Sequence, residues 1–446
     1  MLSNDFYGSV VAGTKKICTS ESAEAFFRDG HTLGACFKHI LLDSTFYLPE
    51  SVPHRYFVFH AESLDLTLFC LNIKMVCTVL IRYSTDSKGR PVQKAVIYTK
   101  EEHNISLKRI DGDAVYVIRR LRETGFDAYI VGGAVRDLIV GRTPKDFDIV
   151  TDATPSRVKR IFHNSRIIGR RFRLVHVIFG QKIFEVSTFR SICEGSVGNV
   201  FGTMDEDVQR RDFSLNALYY DPVKEQVIDY VNGVNDIKKG VVRPVIPLDR
   251  IFIEDPVRMI RAVKYSATTG CVLPWKLKRK ILKSADLLSP VSPSRLTEET
   301  LKIINSGHSY AIVSGLMESG LYLYLQPAAT NLMLEDKKFC ASYMDSLKAL
   351  DSHVSSCPDS RLGERLYFIL KDFVASLTDW DAEVKGGSAN ADLYKMTWAR
   401  CRNFILPMNP QRTELDFAIK KILDEYGIHI KQAKRKTRIV LPPEED

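Results

Sequence analysis

The chain has 446 residues, 45% of them hydrophobic, and a formal net charge of +9. That length suits two to four domains with ordinary cores, and the basic balance points toward a polyanionic partner without establishing one. Nine cysteines with no CxxC pair and no metal-ligand spacing exclude a disulfide scaffold and a zinc module, and read as reduced thiols in a cytoplasm.

In chain order, residues 1–92 lack clear periodicity and are read as an N-terminal extension without an assignment. Their most apolar window, LTLFCLNIKMVCTVLI from Leu66 to Ile81, is interrupted by Asn72 and Lys74 and is too short and too polar to span a bilayer. No secretory leader or internal repeat is read in the chain. Residues 1–74 are expected to be dispensable, or the functional protein to begin at or near Met75. The interpretable part opens with a strand, KAVIYT at Lys94–Thr99. A helix follows over Ile110–Glu123, where Ala114, Val117, Ile118 and Leu121 form an apolar stripe. Next come a strand at Ala128–Val131 and a two-turn helix at Ala134–Val140, with Gly141 as a left-handed stop. FDIV and KIFEVSTF are further strands, and mixed strands and helices run to about Tyr230. After about Asp255 helical periodicity dominates. Ser292 and Pro293 fit an N-cap and first helical position. VKGGSAN at Val384–Asn390 reads as a linker, and the end, GIHIKQAKRKTR, holds five Lys/Arg (Lys431, Lys434, Arg435, Lys436, Arg438) and no acid.

The chemistry concentrates in AYIVGGAVRDLIVGRTPKDFDIVT, Ala128–Thr151. Gly132 and Gly133 lie where a strand hands over to a helix, a place where free N–H groups and the helix dipole favour an anion and glycine lets a phosphate come close. Arg136, one turn on, adds a bidentate phosphate donor. Taken alone, the glycine pair is equally a plain tight turn. Asp146 and Asp148 shift the balance. Residues i and i+2 of a strand face one side, so both carboxylates project together while Phe147 turns to the core. Such a pair suits Mg²⁺, which keeps positions for water and phosphate, and a two-metal site would activate a hydroxyl and neutralise a leaving pyrophosphate. The bland alternative is a pair of solvated acids at a strand entry. Glu185 offers a third carboxylate if its strand neighbours the Asp strand; otherwise it is an outward-facing strand residue. From Arg157 to Arg190 there are nine Lys/Arg and one acid, Glu185. That band, with Arg170, Arg171 and Arg173 at its centre, fits a triphosphate or an RNA backbone, or is simply a solvated positive face.

IVGGAVRDLIVGRTPKDFDIVTDATP resembles the signature of class II nucleotidyltransferases, the superfamily of bacterial poly(A) polymerases and CCA-adding enzymes. EVSTFR, QRRDFSLNALYY, DYVNGVNDIKKGVVR and EDPVRMIRAVKYSATTG follow in the family's order, and the likeness runs from about Lys94 to Pro327. IIGRRFRLVHVIFG at Ile167–Gly180 and VIYTKEEHNIS before the core look like the poly(A) polymerase subgroup.

The resemblance implies an α/β nucleotidyltransferase head, a mixed sheet with flanking helices, followed by an all-α neck, body and tail. Head, neck and the helical remainder with its basic tail are expected at residues 93–230, 231–290 and 291–446. It implies transfer of AMP from ATP to RNA 3′ ends with release of pyrophosphate and with two Mg²⁺ ions. The alternatives are CCA addition to tRNA and, from another class, a catalytically inactive RNA-binding relative, which would need a lost carboxylate. By the family's motifs, Asp146 and Asp148 match the metal-binding pair, with Glu185 as a further catalytic carboxylate. Gly132, Gly133 and Arg136 match the triphosphate turn. Arg211, Asp212 and Asn216 match residues near the incoming nucleotide, with Asp212 and Asn216 expected on one helix face or Asp212 as its N-cap. Asp255 and Arg258 match the base-reading pair, at the start of a helix with Pro256 in its first turn. One acceptor beside one donor favours A and C over G and U and does not separate A from C; the bland alternative is a surface ion pair between the two. RNA contact is expected at Arg170, Arg171 and Arg173 and in the tail at Lys434, Arg435 and Lys436.

Overall fold

The computed structural model describes residues 80–85, 91–169, 173–191, 201–385 and 389–430, with side chains from Lys94 onward. The chain divides into two compact units. The first ends at Val208 and takes in Ala217–Asn232; the second holds Gln209–Asn216 and everything from Gly233. Expectations placed on residues 1–74, on Arg170 and Arg171, and on the tail with Lys434, Arg435 and Lys436 lie outside the described residues.

The first unit is built on one mixed sheet. Its strands are β1 (Leu80–Thr85), β2 (Pro91–Tyr98), β3 (Ala128–Val131), β4 (Asp148–Thr151), β5 (Ser165–Ile168), β6 (Leu174–Phe179), β7 (Lys182–Thr188), β8 (Leu218–Asp221) and β9 (Gln226–Asp229). They lie in the order β1-β2-β9-β8-β3-β4-β7-β6-β5. Neighbours are antiparallel except β4 and β7, which run parallel. Helices α1 (Gly112–Glu123), α2 (Gly133–Ile139) and α3 (Pro155–Ile161) pack on it. Asp111 caps α1 by accepting the Asp113 N–H at 2.9 Å, and the stripe Ala114, Val117, Ile118 and Leu121 is fully buried, which is why this segment is helical and where it docks. All four residues of β3 are buried, as a central strand requires. Gly141 ends the turn after α2 at φ +74°, the left-handed stop that its type predicts.

The second unit is helical. It includes α4 (Gly233–Lys239), α5 (Ile251–Glu254), α6 (Arg258–Thr269), α7 (Trp275–Ser284), α8 (Pro293–Ile304), α9 (Lys337–Ser356), α10 (Leu362–Ala375) and α11 (Arg412–Glu425), among others, around one apolar core that runs from Phe213 to Ile428. Ser292 is the N-cap of α8 and Pro293 its first residue, as expected. No helix of the described residues is long and apolar enough to cross a membrane. The described cysteines Cys271, Cys340, Cys357 and Cys401 are free thiols.

Three elements differ from the sequence reading. The sheet begins at Leu80, inside the stretch given to an unassigned extension, because LIRYST pairs with β2 as an edge strand. Strands β5 and β6 lie inside what was read only as a basic band. Arg166 and Arg173 are exposed while Val175 and Val177 are buried, so the charges overlie a period-2 pattern. The linker expected at Val384–Asn390 is narrower: a helix reaches Lys385 and the next starts at Asn390.

Candidate active site

In the first unit, the glycine turn and the aspartates meet at one end of the sheet. Val131, the last residue of β3, pairs with Asp148, the first of β4, so the Gly132-Gly133 turn leaves β3 beside the carboxylates. Gly132 has φ +73° and ψ −135°, a backbone conformation that a β-carbon resists, which explains glycine there. A β-carbon on Gly133 would lie 3.5 Å from an Arg136 amine, so the guanidinium folds back over the turn. Arg136 also pairs with Asp137 at 2.8 Å. Asp146 and Asp148 are exposed while Phe147 between them is only 8% exposed, the alternation of an extended segment.

Glu185 is a neighbour of this pair in the sheet, since the parallel register joins Ile149 to Val186 and so sets Asp148 level with Glu185. The expected three-carboxylate cradle is nevertheless not assembled. Among the described residues no group of three or more His, Cys, Asp and Glu is gathered to hold a metal ion. Glu185 pairs across the sheet with His176 of β6, and its Oε1 lies 3.4 Å from His176 Nε2. Two exposed carboxylates still fit magnesium, which binds through one or two carboxylates and completes its shell with water and substrate phosphate.

The remaining motif residues belong to the second unit. The expected helix carrying Asp212 and Asn216 is absent. Phe213 forms a β-bridge with Pro244, the Ser214 N–H donates to the Arg243 carbonyl and the Val245 N–H donates to that of Asp212, which holds 212–214 extended. A single 3₁₀ turn, Ser214–Asn216, follows. Asp212 therefore neither shares a helix face with Asn216 nor caps a helix; its side chain accepts the Phe213 N–H at 2.8 Å. Arg211 Nη1 donates to the Asn216 carbonyl at 3.3 Å. Beneath them lies buried Asp236 of α4, which accepts from Ser214 Oγ and from Arg243 Nε at 2.8 Å. Sequence reading gave Asp236 no role.

The side chains of Asp255 and Arg258 are not paired with each other, although the Arg258 N–H donates to the Asp255 carbonyl at 3.1 Å. Asp255 lies between α5 and α6, and its Oδ1 accepts the Val257 N–H at 3.2 Å. Its charge partners are Arg261 at 2.6 Å and Arg295 of α8 at 2.8 Å. Arg258 pairs with Glu254 at 3.0 Å and donates to the Ile251 carbonyl at 3.1 Å. Arg261 also faces Asp212 at 3.6 Å. Burial works against the Arg261 charge, but Asp212, then Tyr265 and Asp255, hold its pKa above the ordinary arginine value. A second cation, Arg261, stands three residues after Arg258 in EDPVRMIRAVK, so its presence was legible, while Arg295, 40 residues from Asp255, was not.

One basic surface was also missed. Helix α7 reads WKLKRKILKS, with Lys276, Lys278, Arg279, Lys280 and Lys283 and no acid. Of the expected trio at Arg170, Arg171 and Arg173, the described member, Arg173, is exposed.

Two family models match: "Poly A polymerase head domain" over residues 128–243 and "Probable RNA and SrmB- binding site of polymerase A" over residues 276–333. The chain is 41% identical over 275 residues to Poly(A) polymerase I of Escherichia coli O6:H1, covering 58% of this chain and 59% of that protein. It is 35% identical over 338 residues to Poly(A) polymerase I of Haemophilus influenzae, covering 71% of this chain and 73% of that one. A CCA-adding enzyme of Lactobacillus helveticus is 37% identical over 204 residues, covering 44% of this chain and 50% of the relative. Among solved structures, that of the Bacillus stearothermophilus CCA-adding enzyme in complex with CTP is 26% identical, with coverage of 70% of this chain and 82% of that one and a TM-score of 0.45.

Proposed function

The chain belongs to the nucleotidyltransferase family of bacterial poly(A) polymerases and CCA-adding enzymes, and we propose that within it this protein extends RNA 3′ ends with AMP from ATP. The observation that carries the choice is the extent of likeness: 71% of the chain aligns with a poly(A) polymerase I, against 44% with a CCA-adding relative. CCA addition is the second reading, because that relative is still 37% identical over its span. An inactive RNA-binding relative is disfavoured, since all three candidate carboxylates are present.

In the proposed reaction the RNA 3′-oxygen forms a bond to the α-phosphorus of ATP, the α–β anhydride bond breaks, pyrophosphate departs and the hydroxyl proton is lost to solvent. Asp146 and Asp148 would hold magnesium, whose chemistry is to neutralise the triphosphate and acidify the attacking hydroxyl. The turn at Gly132 and Gly133 lets phosphate oxygens approach backbone N–H groups, and Arg136 adds positive charge. Arg211, Asp212 and Asn216 are assigned to the nucleotide, and Asp255 with Arg258 to the base edge. RNA contact is assigned to Arg170, Arg171 and Arg173, to the second family match at 276–333, and to the tail at Lys434, Arg435 and Lys436. The working division keeps head, neck and helical body, with the head extended back to Leu80 and residues 209–216 moved to the helical side. Reduced thiols fit a cytoplasmic setting.

The test is incorporation of each NTP on generic RNA and on tRNA lacking its CCA end. ATP should be used far better than CTP on any free 3′-hydroxyl, and addition should continue past a few nucleotides. Arg258→Ala should lower that preference more than it lowers metal binding. Efficient CTP addition to the trimmed tRNA, stopping after a fixed number of nucleotides, would install the CCA reading instead.

A further inference from the structure

Helix α7 spends its apolar residues in two ways. Leu277, Ile281 and Ser284, at spacings of four and three, are buried and dock the helix on its unit. Trp275 and Leu282 point outward, 67% and 56% exposed, and Val272 just before the helix is 61% exposed. Arg279, one turn after Trp275, holds its guanidinium carbon 5.2 Å from the centre of the indole. Trp275, Arg279 and Leu282 therefore form one stripe at i, i+4 and i+7.

Lys276, Lys278 and Lys283 flank that stripe and are exposed, with Lys280 half-buried. Among the described residues no carboxylate forms an ion pair with any of the five cations of α7. The nearest acid in sequence, Asp286, is engaged by the Tyr324 hydroxyl at 2.8 Å. Five like charges on a ten-residue helix repel one another, and a polyanion relieves that repulsion. A protein partner would favour fewer lysines, which are depleted at protein–protein interfaces.

We infer that α7 is a single-strand RNA track in which the Trp275 ring, backed by Arg279, stacks on an unpaired base while the lysines hold the adjoining phosphates. This inference rests on the reading of the chain as acting on RNA. Helix α7 opens the second family match at 276–333, and what is added is the mode: base stacking on Trp275, the residue just before that match. An indole face accepts any base, so the contact is tolerant of sequence. It also discriminates against duplex, whose bases already stack on each other.

The test uses the full chain with a single-stranded oligoadenylate, and a duplex RNA of equal length as control. Trp275 is the exposed tryptophan, whereas Trp380 is buried and Trp398 half-buried, so the intrinsic fluorescence that responds to stacking is its own. Oligoadenylate should quench the wild-type emission and the duplex should not. Trp275→Ala should weaken oligoadenylate binding by about tenfold, with an unchanged melting temperature because the side chain is exposed. Trp275→Phe should regain most of the affinity. Lys278→Ala with Lys283→Ala should instead weaken binding to single strand and duplex alike and flatten the salt slope. Wild-type binding that adds no nucleotide would defeat the AMP-transfer reading and leave this one standing. Wild-type affinity in Trp275→Ala, emission indifferent to bound oligoadenylate, or no oligoadenylate binding by the wild type would each overturn the stacking site and turn attention to a protein partner for α7.

Discussion

Replacing Asp148 or Asp146 with alanine should reduce nucleotide transfer by roughly 10²–10³-fold. A metal ion that neutralises a phosphoryl centre is worth several kcal/mol of transition-state stabilisation, and each ~1.4 kcal/mol is tenfold in rate. The fold should persist. Both aspartates are exposed, and exposed substitutions cost within about 0.5 kcal/mol. Phe147 makes the internal contrast: it is 8% exposed, so Phe147→Ala should cost about 3 kcal/mol of stability by leaving a cavity on the core side, on the face opposite the two carboxylates. Single-turnover AMP transfer and thermal melting on the same preparations separate the cases. Either aspartate variant with more than a tenth of wild-type turnover would remove the pair from the reaction.

A comparably large stability effect is expected in the second unit, at Glu299. It is 6% exposed, with Lys264 of α6 at 2.9 Å and Lys302 at 3.3 Å. Burial pushes its carboxyl up, but Lys264 foremost and then Lys302 pull it down further, so its pKa lies below the ordinary glutamate range. Lys264 is lowered, chiefly by burial, with Glu299 opposing. Glu299→Ala leaves Lys264 charged in the interior without its partner, at a cost of about 3 kcal/mol. The pH dependence has a definite sign. The Glu299 contribution is complete above the ordinary glutamate pKa and is lost as pH falls through the lowered folded value. In the variant, the unfolded chain binds the Lys264 proton more readily than the folded one, so stability rises with pH toward the lysine range. The deficit between variant and wild type should thus be widest near neutrality and narrow on both sides. Urea unfolding across pH measures it. A deficit below about 1 kcal/mol at neutral pH would mean that the pair is solvated, and Glu299→Leu with Lys264→Met should regain most of the loss.

Much of the head was legible because its signals are local. The strand at Ala128–Val131, the stripe of α1 and the stop at Gly141 each depend on residues within a few positions of one another, and each is where pattern places it. The aspartates were legible for the same reason, as Phe147 marks the inward face. What was missed depends on pairing across the chain. Strand β5 is four residues long and is defined by β6. Asp212 looked helical until the 243–245 segment drew it out into a bridge. Glu185 had the right parity and the right neighbour, and what pattern did not give is His176 across from it on β6, 3.4 Å from its carboxylate. The partners of Asp255 come from two further positions, one of them on another helix, and no window around EDPVR contains Arg295.

The strand order has a consequence for synthesis. Strands β8 and β9 lie between β2 and β3, yet they are made after the chain has left for residues 209–216 and returned. A nascent chain ending at Asn216 holds β1-β2 and β3-β4-β7-β6-β5 as two separate ribbons with bare inner edges, because the seam between them is still on the ribosome. It also carries Phe213 and Leu215, fully buried in the finished protein, before their helical surroundings exist. Such edges and side chains invite mispairing while they wait. The central seam of the sheet can therefore form only after Asp229 has emerged, and a synthesis stall between β7 and β8 leaves two ribbons without the strands that join them.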